Sequence, residues 1–543
     1  MMTAPAHMAA ESAAELEDRL GDPGDPLNPF GFGAVVAADE AGFALPGALG
    51  LLTTLDWHAE LVPPGDGGRL TSVPRLVQLL RPLFHRDVTV GLAVGVVPLL
   101  SSSLVWAAPS GTSRQRLARW LLDDRRLPLA TYAETERGTG EDVVARRYGD
   151  EVVLQGRTCA VTGVGWNAPA TVVARTGQDL GSPRHSVLLV DNVIGPHSTR
   201  RPAGARGLRF GDLQFDDSRF DGGSTVVGDF NGAAGLTRTA LAITRTTLAG
   251  ATVGSLDTLL RLAVGSVLER PRLLPYVRST LVGAFMDLLT LDCLTTVAAR
   301  ALQVSTALPE AYLDAVNRLS VVLTRGIIGG LDGVLGIEAH RRDGRHAIFQ
   351  KHRRDLLTAP LTASGGARGR SSLLPILPDG ATTQDKSSPR ALFGLVEQSP
   401  QLDLTRLADT SPDLGDPLSV FRRAQYSVPY ADVVVDATAR VLARSAALPP
   451  RDRTPLATPD THQLAEQYAL LVAARSCLGV WRENQQDAFL RDPTWATGAL
   501  QRLLRRLGEP HQQRYAEGDL LDELVARYQR CESFDLTNGP IAG

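Results

Sequence analysis

The chain has 543 residues and a formal net charge of −3, is 43% hydrophobic and 21% charged, and carries four cysteines with no CxxC. That length calls for more than one domain at roughly 100–200 residues each, and the near-neutral charge gives no footprint for a nucleic-acid partner. Cys159, Cys293, Cys477 and Cys531 lie far apart, which supports neither a disulfide framework nor a zinc knot and fits a reducing cytoplasm.

The first twenty residues, MMTAPAHMAAESAAELEDRL, show no basic region followed by an apolar run, so no secretory signal is expected. Up to about residue 128 the pattern is helical, in DEAGFALPGALGLLTTL, SVPRLVQLLRPLF and GTSRQRLARWLLDD, the last with Thr112 or Ser113 placed to cap it. Between them VTVGLAVGVVPLLSSSLVWAA, residues 88–108, passes a bilayer-span length test. Pro98, three serines and two glycines interrupt it, so it is expected to be a buried helix pair, with no membrane insertion.

Residues 129–232 switch to a two-residue period punctuated by Gly, Pro and Asp, in DEVVLQGRTCAVTG, TVVART, HSVLLVDNV and LRFGDLQFDD. From 236 the helical period returns in GLTRTALAITRTTLAGATVGSLDTLLRLAVGSVLE and STLVGAFMDLLTLDCLTTVAARALQV, apolar stripes with small residues that suit a tight bundle. APLTASGGARGRSSLLPILPDGATTQDKSSPR, residues 359–390, reads as a functional loop or linker, and helices resume beyond it to about residue 530. The expected division is a helical domain over 1–128, a β-domain over 129–232, a helical bundle over 233–390 and a helical extension over 391–543.

YAETERGTGEDV, residues 132–143, carries the first chemical signal. Its glycines suggest a phosphate cradle, but Glu141 and Asp142 follow where a Lys-Ser/Thr pair or a third glycine would stand, and acids repel phosphate. The acids also miss the alternate spacing of a calcium loop. A third possibility is a wall for a flat aromatic cofactor.

The order of motifs resembles the acyl-CoA dehydrogenase and acyl-CoA oxidase superfamily. GTSRQRLARWLLDDRRLPLATY resembles the family's GT-x-x-Q helix, YAETERGTGED its flavin loop, and LQGRTCAVTG with VVART its G-x-K-x-x-I-T-N strand pair. LLVD with GLRFGDLQFDDSRF resembles its F-D-x-V-x-V strand, and DFNGAAGL the opening of its C-terminal bundle. The match covers roughly residues 30–370 in register, and the helices after 390 resemble the fourth domain of the oxidases.

The resemblance implies an α+β fold: an N-terminal helical domain, a central antiparallel, barrel-like β-domain, a four-helix bundle and a further helical domain. It implies FAD, with Tyr132, Thr135 and Gly140 lining the flavin, Glu141 standing where a serine is usual, and Thr162 bonding near the reactive ring nitrogen. Arg270 matches the arginine that reaches the pyrophosphate across a subunit contact, and Gly329 and Gly330 match the paired glycines that admit the cofactor. The implied substrate is an acyl thioester on CoA or an acyl-carrier protein, and the implied assembly a homo-oligomer, with a dimer favoured.

Several positions depart from the family. Leu273 replaces an aromatic, Leu281 and Gly326 replace glutamines, and Ala160 replaces a tryptophan, so FAD is expected to bind weakly. The carboxylate that takes the substrate α-proton is missing too: Ala363, Ser364 and Gly365 occupy its position, and Thr244 the alternative one. Glu338, His340, Asp343, His346, His352 and Asp355 offer a histidine base as a substitute, but a charge run of this kind is expected to be a solvated helix or loop. The catalytic residue is therefore unassigned. Two other readings stay open: a non-redox member acting as a divergent catalyst or binding partner, and a flavin-dependent monooxygenase of the same fold.

Overall fold

A computed structural model describes residues 5–130, 143–162, 169–178, 184–191, 197–200, 202–208, 210–305, 308–358, 373–377, 390–407, 416–418, 427–454, 456–509 and 516–542. The N-terminal helices are α1 (Pro5–Leu20), α2 (Phe32–Ala41), α3 (Pro46–Thr54), α4 (Val73–Arg86), α5 (Val88–Gly91), α6 (Val97–Trp106) and α7 (Thr112–Leu122). Ser72 caps α4 by accepting from Arg75 N at 3.1 Å. By contrast α7 starts after Gly111 with no side-chain cap, so Thr112 is its first residue and not its cap.

The apolar segment 88–108 is one helix, not a pair, because a π turn at Leu92–Val96 joins α5 to α6. Pro98 has no N–H to offer Val94 O, and the indole N–H of Trp57 donates to that carbonyl at 2.9 Å. Glycines bring this helix against α4: a Cβ at Gly91 would strike Phe84 and one at Gly95 would strike Leu80.

Strands follow: β1 (Leu129–Ala130), β2 (Val143–Tyr148), β3 (Glu151–Thr162), β4 (Ala170–Arg175), β5 (His185–Val190), β6 (His197–Arg200), β7 (Phe210–Asp221) and β8 (Val226–Val227). They form one sheet in the order β6-β7-β3-β2-β4-β5-β8. The pairs are antiparallel except where β4 runs parallel to β1 and, at Val144–Arg175, to β2. Alternating burial along β7 matches a sheet with one packed face, whose small core includes Val152, Leu154, Val172, Leu188 and Phe215.

A single turn, α8 (Gly222–Thr225), precedes the bundle helices α9 (Ala233–Leu268), α10 (Pro275–Val304) and α11 (Glu310–Leu335), and the shorter α12 (Ala347–Thr358). The extension contributes α13 (Ala431–Ala446), α14 (Pro459–Glu483), α15 (Pro493–Leu507) and α16 (Glu517–Gln529). One hydrophobic core runs from α1 through the bundle into α14–α16.

Among the described residues, four helices are long and apolar enough to cross a membrane. The apolar windows of Val88–Trp106, Ala233–Leu268 and Pro275–Val304 are 94%, 78% and 94% buried, so packing inside the protein accounts for their composition. The window in Glu310–His340 is only 50% buried, so half of that window is not packed into the core.

Candidate functional site

Arg270, Gly329 and Gly330 come together at one end of the bundle. The Arg270 guanidinium donates to Val334 O at 3.0 Å, which ties the end of α9 to α11. Gly329 and Gly330 lie one turn back along α11. A Cβ at Gly330 would come within 3.1 Å of Thr280, so α10 crosses closely there. A Cβ at Gly329 would meet nothing within 4 Å, so the α11 backbone is open at that point.

Thr162 stands elsewhere, half-buried at the end of β3 and paired with Phe210 of β7. Tyr132, Thr135, Gly140 and Glu141 lie outside the described residues, as do Ala363, Ser364 and Gly365 and most of the 359–390 segment. Thr244 is buried in α9, and its hydroxyl has no partner among the described residues.

Three of the departures lie among the described side chains, at Gly326, Leu281 and Leu273. A Cβ at Gly326 would lie 3.5 Å from Arg506 Nη2, and one at Gly283 would strike Arg502. Both guanidiniums donate to the buried carboxylate of Asp287, Arg502 at 2.8 and 2.5 Å and Arg506 at 2.7 Å. A Cβ at Gly326 would therefore be in ordinary contact with the Arg506 guanidinium of α15. Leu281 is buried in the core, and Leu273 packs against it.

The charge run at 338–355 is not uniformly solvated, which corrects the sequence expectation. Asp343 and His340 are exposed, but His346, Lys351, His352 and Asp355 are buried. Lys351 Nζ donates to Asp87 at 2.5 Å and to Asp355 at 2.7 Å, and the paired carboxylates hold the ammonium charged despite its burial. Asp355 also accepts from Ala205 N at 2.7 Å and from Arg354, which in turn reaches Asp39 at 2.6 Å. This lattice joins α2, the α4–α5 junction, the β-domain and α12.

His352 makes a 3.3 Å contact with Arg86 O. Burial, then the neighbouring ammonium, lowers its pKa to about 4. It is thus neutral and a poor proton acceptor at pH 7. His346 is lowered by burial too and contacts Glu338 at 3.2 Å.

The sequence reading missed Lys351, Asp87, Asp287 and Asp292 as anchors. Charges inside apolar helical runs, such as the two aspartates of MDLLTLD, were the available signal, because a buried carboxylate requires a partner.

No family model matches the sequence, and no curated protein does. Solved structures do match. A Bacillus anthracis acyl-CoA dehydrogenase complexed with FAD aligns over 97% of this chain and 91% of its own, with a TM-score of 0.68 at 11% identity. The chain has the acyl-CoA dehydrogenase fold. Butyryl-CoA dehydrogenase from Megasphaera elsdenii covers 68% of this chain and 98% of its own, with a TM-score of 0.57 at 14% identity. A nitroalkane oxidase variant crystallised with 1-nitrooctane covers 69% and 96%, with a TM-score of 0.58 at 15% identity. In this acyl-CoA dehydrogenase fold, the alignment that spans nearly the whole chain takes in α13–α16 as well as the bundle.

Proposed function

We propose that the chain is a flavin-dependent oxidoreductase acting on an acyl thioester held on CoA or a carrier protein. The observation that carries this reading is the likeness along 97% of the chain to an acyl-CoA dehydrogenase complexed with FAD. The open backbone at Gly329 supports an approaching cofactor, and Arg270, Gly329, Gly330 and Thr162 would hold it together with Tyr132, Thr135, Gly140 and Glu141. Bound FAD would supply the acceptor for hydride from the acyl chain.

The protein's own residues contribute position more than proton transfer. The lattice around Lys351 and Asp355 fixes α12 against the β-domain. Thr244 offers a neutral hydroxyl where a base would stand, and His352 is too weak a base to replace it. That pairing favours a second reading, in which the fold serves a monooxygenase or a non-redox function that needs no α-proton acceptor.

Exposed Leu268, Leu274, Tyr276 and Ile337 gather at the bundle end that carries Arg270, which supports a homodimer through that end. The free thiols of Cys293, Cys477 and Cys531 support a cytoplasmic setting.

Purified protein reconstituted with FAD tests the reading. Retention of a flavin spectrum after gel filtration, with anaerobic bleaching by an acyl thioester, is expected for the oxidoreductase. Flavin retained but never bleached moves the assignment to the second reading, and no flavin retention refutes the flavin-dependent ones.

A further inference from the structure

Two of the cysteines meet inside the protein. Cys293 lies in the middle of α10, and Cys477, 184 positions later, lies in α14 of the extension. Both are free thiols and both are fully buried. Helices α10 and α14 pack directly against each other, and the two thiols hydrogen-bond across that contact.

A buried cysteine is ordinarily a small apolar filler, and one alone would carry no chemistry. Here the surroundings pin both helices beside the contact. Asp292, next to Cys293, is held by Arg81 and by Leu536 N at 2.8 Å, and Thr296 donates to it at 3.2 Å. Near Cys477, a Cβ at Gly479 would strike the Phe393 ring, and the Arg475 guanidinium lies 5.4 Å over the same ring. Thiols already in contact need only a small closure of the two helices to reach disulfide distance. Burial, then the partner thiol, pushes the Cys293 thiol well above the ordinary range. It is therefore no reactive thiolate while the helices stay packed, and the pair is kept reduced in the closed protein.

We propose that Cys293 and Cys477 are a dithiol–disulfide pair through which a small hydroperoxide fastens the C-terminal extension to the bundle. When α10 and α14 part locally, one thiol can ionise, and its thiolate breaks the O–O bond of the peroxide to give a sulfenic acid. The second thiol displaces the sulfenic oxygen as water, and the S–S bond forms. In all, two thiols give up two protons and two electrons, and hydrogen peroxide takes them up as two molecules of water. The inference is independent of the function proposed above, since it needs neither a flavin nor an acyl thioester. Because the bond joins residues so distant in the chain, it restricts the unfolded state strongly.

Full-length protein treated with hydrogen peroxide and digested with trypsin without reduction tests this. A disulfide joins the peptide of residues 279–300 to that of residues 476–482, two hydrogens below their summed mass. The linked species is expected to appear with peroxide, to vanish with dithiothreitol, and to accompany a rise in Tm of about 3–5 °C. Recovery of the two peptides separately after peroxide overturns the proposal, whether their thiols are intact or carry added oxygen. A linked species that leaves Tm at its native value also overturns it, because the bond then fastens nothing. Cys477→Ala and Cys293→Ala should each abolish the rise. The same rise in either variant places its cause elsewhere and overturns the proposal as well.

Discussion

Lys351 shows what a single buried charge does in this fold. Its ammonium is 2% exposed and sits between Asp87 and Asp355, so removing it leaves two carboxylates in a dry site. Breaking a buried pair from one side typically costs about 3–5 kcal/mol, and Lys351→Met is expected to lose that much in urea unfolding. A change under about 1 kcal/mol would mean that the carboxylates find other partners. Beside it, His352 makes stability depend on pH. Its pKa falls from the ordinary 6.5 to about 4 in the folded chain. Above pH 6.5 both states are neutral and there is no penalty. Between 6.5 and 4 the unfolded chain takes up a proton that the folded chain refuses, so stability falls as pH falls. By pH 4.5 the loss is about 2–3 kcal/mol. Urea midpoints at pH 7 and 4.5 should show this loss in the native protein and less of it in His352→Gln. Equal losses in the two would remove His352 as the cause.

At the scale of elements, the helix Val88–Trp106 depends on a residue far outside it. Pro98 frees Val94 O, and Trp57 supplies the missing donor. Trp57→Phe keeps most of the ring and deletes the N–H, leaving a buried carbonyl unpaired at about 1–3 kcal/mol. A thermal melt within experimental error of native would show that the carbonyl is satisfied otherwise. The same helix marks the limit of sequence reading. Its apolar length was legible, but its continuity was not, because a proline in a helical pattern ordinarily marks a break and the rescuing indole lies 37 residues away. The strands were legible from their two-residue period, apart from the parallel contacts of β4 with β1 and β2, which no local pattern encodes. The fold was also legible from motif order. The candidate site was less so: that Arg506, from a helix 180 positions on, lies beside Gly326 is written in no local pattern. Hydroxyls such as Thr244 read as ordinary helix residues until packing showed them buried, with no partner among the described residues.

Over the whole molecule, the C-terminal tail is the piece that makes the extension inseparable from the rest. Buried Arg81 of α4 holds Asp292 of α10 and, at 2.5 Å, Asp535 of the tail. Two carboxylates share one guanidinium. Burial pushes the Asp292 carboxyl up, while Arg81 and the Thr537 and Ser533 hydroxyls pull Asp535 down. The tail backbone completes the set, with Leu536 N donating to Asp292 at 2.8 Å and Phe534 N to Asp257 of α9. Ending the chain after Cys531 would therefore strip one carboxylate from Arg81 and one N–H from each of two buried aspartates. Losses of this kind typically cost several kcal/mol together, and they would be felt in α4, α9 and α10 at once. The truncated protein is expected to melt well below native or to accumulate insolubly. Asp535→Asn should be milder, because it keeps the backbone donors and removes only the second charge. Calorimetry on the soluble proteins orders the three variants as native, Asp535→Asn and truncation. A truncated chain that melts with the native Tm would show that the tail merely lies on a bundle already complete without it.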